Sequence, residues 1–191
     1  MNPRRIIGLF VLLELIIIAV SIIVDGFSIV ALQTTTHLSG LLSLFLFSLI
    51  FLLHNKPVIL HNWLSEKFYL LFAIVHGFHL IELLTFIYLG GARLIPTRLA
   101  GGFLAYVFIL LMPFLSHYAR SGKITLKRFF TIEAIFLYFT WLMFFLTYLP
   151  RVQGKLPMAG GTYPEHVALL GWVSTMLGIK LTSMLQFQKA R

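Results

Sequence analysis

The chain repeats apolar runs of about 18 to 22 residues. That is the length an α-helix needs to cross a hydrocarbon layer about 30 Å thick at about 1.5 Å per residue. These runs recur from one end of the 191 residues to the other, and they leave only short polar links between them. The composition agrees: 59% of residues are hydrophobic and 11% charged, against about 45–50% and about 25% in an ordinary soluble domain. With a mean hydropathy of +0.94, no single soluble core of this size can bury the apolar surface. The expected fold class is all-α: one polytopic transmembrane helix bundle covering residues 1–191, with the lipid bilayer as its solvent.

Punctuation along the chain predicts six helices, at about 6–24, 36–53, 68–89, 99–118, 129–149 and 165–187. The first follows Arg4-Arg5 and ends at Asp25-Gly26; it is too long for the apolar core of a cleaved signal peptide and lacks a small-residue cleavage pattern. His54-Asn55-Lys56-Pro57 stops the second, since a proline disfavours helix in the residue before it. Gly90-Gly91 ends the third, Pro113 predicts a kink in the fourth, and Pro150 closes the fifth. The link Arg151–Pro164, with its Gly160-Gly161 pair, is long enough to fold over a helix end.

Lysine and arginine set the orientation. With a cytoplasmic N-terminus, ten of them (Arg4, Arg5, Lys56, Lys67, Arg120, Lys123, Lys127, Arg128, Lys189, Arg191) fall on the cytoplasmic side and four (Arg93, Arg98, Arg151, Lys155) on the other. This positive-inside bias places both termini in the cytoplasm and the chain in the cell's inner membrane as a multi-pass protein. The net charge of +9 is spread over helix ends, so it reads as contact with anionic lipid and not as a nucleic-acid surface. The chain has no cysteine, which excludes disulfides, thiolate metal sites, iron–sulfur clusters and cysteine nucleophiles.

Ionisable groups in hydrocarbon cost about 2.5 to 3.5 kcal/mol each at the centre of a span, so they are functional candidates. The third helix holds the densest set, His76, His79 and Glu82. Steps of three residues place them on one face, spread over about 120°. His76 and His79 are candidate haem or metal ligands, with Glu82 as a proton partner. The alternative is a polar clamp to neighbouring helices. Gly77 between the histidines is expected to let a helix or a flat ligand approach. Glu14 in helix 1 and Lys180 in helix 6 lie at comparable depth, so a Glu14–Lys180 pair or a Glu14–His76 contact is expected, unless Lys180 snorkels to the interface. Glu133 in helix 5, with Thr140 and Thr147 at heptad spacing, marks an inward packing face. The histidines at helix ends (His37, His54, His61, His117, His166) read as structural, and no dedicated metal motif is present.

The order of features from helix 2 to helix 6 resembles the ferric-reductase-like membrane domain, most closely the haem-binding membrane subunit of the bacterial methionine sulfoxide reductase system. The residues that carry the likeness are His37-Leu38-Ser39-Gly40 opening helix 2, Pro57 after it, the histidines of helix 3, and a basic loop before a helix 5 containing Leu137-Tyr138. The resemblance implies b-type haem held by His76 or His79, and electron transfer to an acceptor outside, with other membrane or periplasmic subunits as partners. It implies no ligand in helix 5, because Phe129–Leu149 contains no histidine. A shorter likeness, Gly77-Phe78-His79-Leu80-Ile81-Glu82, is to the emopamil-binding sterol-isomerase family, in which a membrane histidine and glutamate handle a proton.

Three functional expectations follow. The first is a b-type haem-binding electron-transfer subunit. The second is a non-catalytic subunit or assembly factor of a membrane complex. The third is a small proton-coupled enzyme or transporter using His79 and Glu82. Each depends on the threading, so glycosylation or protease mapping is expected to place residues 56–67 and 120–128 on the same side of the bilayer. Opposite sides would overturn the topology.

Overall fold

The computed structural model describes residues 3–53, 59–91, 96–155 and 160–189, with side chains described over 5–53, 67–91, 100–155 and 160–183. Six helices account for nearly all of this: α1 (Pro3–Asp25), α2 (Ile29–Leu53), α3 (Ile59–Leu89), α4 (Pro96–Arg120), α5 (Leu126–Val152) and α6 (Tyr163–Lys189). Among the described residues there is no strand. The expected all-helical, six-helix architecture is what the chain adopts. Among the described residues, five helices are long and apolar enough to cross a membrane, α1 to α5. The sixth has the length, 27 residues, but Glu165, His166 and Lys180 interrupt its apolar character. It is still part of the bundle. The Trp141 indole of α5 donates to the Val173 carbonyl at 2.8 Å, and the Trp172 indole donates to the Ser48 hydroxyl of α2 at 2.9 Å.

Several helices begin earlier or end later than their apolar runs suggest. α2 starts at Ile29, before the expected Thr36, so Gln33, Thr34 and Thr35 also lie within it. Its hydroxyls are spent inside the protein: Thr36 Oγ1 donates to the Leu32 carbonyl at 2.8 Å and Thr34 Oγ1 to Asp25 at 3.0 Å. Ser28 Oγ caps the helix by accepting the Ala31 N–H at 3.1 Å, as a serine at that position is suited to do. Pro150 does not close α5, which continues to Val152 with the proline in its last turn. In α4 the helix runs through Pro113. Gly122, with a φ of 73°, makes the tight turn from α4, and Thr125 caps α5 by accepting the Arg128 N–H.

α2 is the hub, in contact with α1, α3, α5 and α6. Lipid offers no hydrophobic drive between helices, so close packing and internal hydrogen bonds hold such a bundle together. Small residues, Ser39, Gly40 and Ser43, occupy one half of the buried stripe of α2; Phe47 and Phe51 occupy the other, both fully buried. Phe47 meets Phe72 of α3 and Phe144 of α5 with ring centres 5.8 and 5.2 Å apart, while Phe51 meets Tyr138 edge-on at 5.8 Å. Outward-facing leucines and isoleucines, such as Leu12, Ile16 and Ile81, remain exposed to the bilayer.

The buried charges pair differently from the sequence expectation. Lys180 neither snorkels nor meets Glu14. It is 3% exposed, its ammonium donates to the Phe51 carbonyl at 2.9 Å, and its opposite charge is Glu133. The Phe51 carbonyl belongs to the last turn of α2, where helix carbonyls have no intrahelical donor. Lys180 therefore caps α2 from α6. Glu133, fully buried, also accepts from the Tyr69 hydroxyl. Histidines 54 and 61, and basic residues 4, 56, 93, 98, 189 and 191 of the topology argument, lie outside the described side chains. Removing one member of a buried charged set leaves its partner uncompensated, at a cost of about 3–5 kcal/mol, whereas replacing both with apolar groups is often near neutral. The double variant Lys180→Met/Glu133→Leu is expected to melt closer to wild type in detergent than either single variant does.

Candidate functional site

The polar half of α2 faces a cavity of about 260 Å³ enclosed by α2, α3, α4 and α5, with the Gly160 loop at its rim. His76 and His79 both line it, with ring centres 5.5 Å apart. Ser43 of α2 engages His76 Nδ1 at 2.7 Å. The hydroxyl holds the ring's orientation, and when it accepts from Nδ1, Nε2 carries the lone pair. On its other side the His76 ring stacks on Tyr106 of α4 at 4.7 Å.

His79 lies against α2. A side chain at Gly40 would bring a Cβ within 3.1 Å of His79 Cε1, so the missing Cβ makes room for the imidazole. The ring donates towards the Thr36 carbonyl, and its Nδ1 is buried with no partner. Among the described residues no neighbouring helix packs against Gly77, since nothing lies within 4 Å of the position its Cβ would take. The glycine that permits close approach is on the neighbouring helix.

Glu82 does not join the two histidines. Although it shares their broad face, the spread of about 120° is enough to place it in a different interhelical space: it lines a groove between α1, α2 and α3. Glu14 bonds to Ser39, whose hydroxyl donates to it at 3.1 Å, so the expected Glu14–His76 contact does not form either. The single stripe read from α3 is two sites.

Other cavity residues carried no signal as ligands in the sequence. Arg151, counted only as a topology charge, lines the cavity with its guanidinium 5.5 Å from the Tyr148 ring centre and its Nε buried without a partner. Thr140 Oγ1 is likewise buried and unpartnered. Met143 and Thr147 complete the α5 wall, and Gly101 of α4 gives the Met143 sulfur room, at 3.4 Å from where a Cβ would stand. At the rim, His37 Nε2 bonds to Glu165 at 2.7 Å, and Glu165 also accepts the Thr162 N–H at 3.2 Å. Thr162-Tyr163-Pro164-Glu165 has the spacing of a capping box, which was visible in the sequence. Its link to His37 was not. Among the described residues, no group of three or more His, Asp or Glu is placed to hold a metal ion.

Comparison of the chain with protein-family models, curated proteins and solved structures finds no match.

The two glycines give a direct test of the geometry. Gly40→Ala is expected to force His79 aside and cost about 1–3 kcal/mol, as overpacking does. Gly77→Ala is expected to be neutral or to stabilise by about 0.5–1 kcal/mol through helix propensity. Thermal unfolding in detergent measures both.

Proposed function

We propose that this integral membrane protein binds b-type haem in the cavity between α2 and α5 and serves as an electron-transfer subunit of the cytoplasmic membrane. One observation carries the reading: three buried polar atoms without protein partners, His79 Nδ1, Thr140 Oγ1 and Arg151 Nε, belong to residues lining the same cavity as the oriented imidazole of His76. Buried polar atoms are rarely left unsatisfied in native proteins, so a cavity that collects three of them is suited to a ligand.

The cavity wall offers donors of the kinds that hold haem. His76, oriented by Ser43, would hold the iron, with Met143 on the α5 wall as a soft donor. His79 would serve as a hydrogen-bonding neighbour. Arg151 and His37 supply positive or hydrogen-bonding groups for the acidic edge of the macrocycle. Bound haem would supply one-electron transfer. At about 260 Å³ the cavity is just below the usual range of ligand pockets, about 300–1,000 Å³. Admitting a macrocycle therefore requires the side chains that line the cavity to move apart.

Detergent-purified protein from haem-replete cells is expected to show a Soret band that shifts on reduction. His76→Ala should lose it. Met143→Leu should keep the haem but change its spin state. A featureless spectrum from folded wild-type protein overturns the reading and leaves the cavity to a compact polar ligand.

A further inference from the structure

The second site, between α1, α2 and α3, is independent of the haem reading. Its three polar contributors come from three helices: Glu14, Ser39 and Glu82. Glu14 and Ser39 are fully buried and Glu82 is 7% exposed. The Ser39 hydroxyl has one proton and donates it to Glu14 Oε1 at 3.1 Å. Glu82 approaches the same hydroxyl from α3 and has the Glu14 carboxyl as its charged neighbour, but neither of its oxygens has a hydrogen bond of good geometry, and Glu14 Oε2 has none either. Three acceptor atoms in hydrocarbon thus lack a donor.

Among the described residues no cation compensates them. Lys180 is committed to Phe51 and Glu133, and Asp25, the other carboxyl of α1, accepts from Thr34. His79, one turn before Glu82, is turned to the other cavity. Two carboxylates that share a site this dry cannot both be ionised. Glu82 also reaches a groove of about 520 Å³ whose walls include Ile18, Ile22, Leu32 and Ile81, side chains that belong against acyl chains. A nearly buried, unpartnered carboxyl therefore points into a lipid-facing groove.

We propose that Glu14 and Glu82 form a proton-binding pair, holding one proton between two carboxyls on either side of Ser39, and that this site is reached from the apolar groove and not from the histidine cavity. Burial disfavours charge on either carboxyl, and the nearness of the other adds repulsion, so the pair retains a proton.

Infrared spectroscopy of the wild-type protein at neutral pH is expected to show one equivalent of protonated carboxyl in an apolar setting. Glu14→Gln and Glu82→Gln should each shift the frequency of that band, because the shared proton loses one of its two carboxyls, whereas Glu133→Gln should leave it in place. Two equivalents, or a band unmoved by either of the first two substitutions, would overturn the sharing, and no band at all would overturn the bound proton itself. Access is read separately on the wild-type protein, which removes any dependence on the variants' folding. A lipophilic carbodiimide, which reacts with protonated carboxyls, should modify Glu82 as located by peptide mass, and a water-soluble carbodiimide should not. Unmodified Glu82, or equal modification by both reagents, would overturn entry from the groove.

Discussion

A polar group inside hydrocarbon has no water to fall back on, and this governs how the bundle is built. α2 answers the constraint along its whole length. Its hydroxyls at Ser39, Ser43 and Ser48 serve Glu14, His76 and Trp172 in turn, so α1, α3 and α6 are each tied to it by a side-chain hydrogen bond. Its last turn takes the ammonium of Lys180. Where no polar tie is made, the aromatic rings of Phe47 and Phe51 supply close packing. The hub is thus polar in one half and aromatic in the other, and the histidine cavity opens in the polar half.

The same constraint separates the two candidate sites. Ser39 and Ser43 are four residues apart on α2, about one turn, yet one serves the α1 side and the other the α3 side with its stacked Tyr106. A single helix therefore supports a carboxyl pair on one flank and an imidazole on the other. Among the atoms that remain without partners, three carboxylate oxygens lie in the first site, and a ring nitrogen, a hydroxyl and a guanidinium nitrogen lie in the second.

Much of the fold was legible because the bilayer makes apolar length decisive. Six helices, their order and the inward placement of His76, His79, Glu14 and Glu133 all follow from run length and from the cost of inserting charge. What sequence could not supply was which interhelical space each inward residue enters. One face of α3 borders two neighbours, so helical spacing united Glu82 with the histidines where packing divides them. Depth likewise suggested Glu14 for Lys180, but depth does not say which helices touch, and α6 lies against α5 and α2. Arg151 was hidden for a different reason. An arginine beside a proline at a helix end has the same signature whether it faces lipid headgroups or turns inward over Tyr148.

Glu165 does two jobs with one carboxylate, since it closes the first turn of α6 through the Thr162 N–H and holds the His37 imidazole of α2. The rim of the histidine cavity and the start of the final helix are consequently one mechanical joint. One oxygen of the carboxylate faces the Thr162 N–H and the other the imidazole, so fraying the first turn of α6 would loosen the hold on His37 at the cavity's mouth.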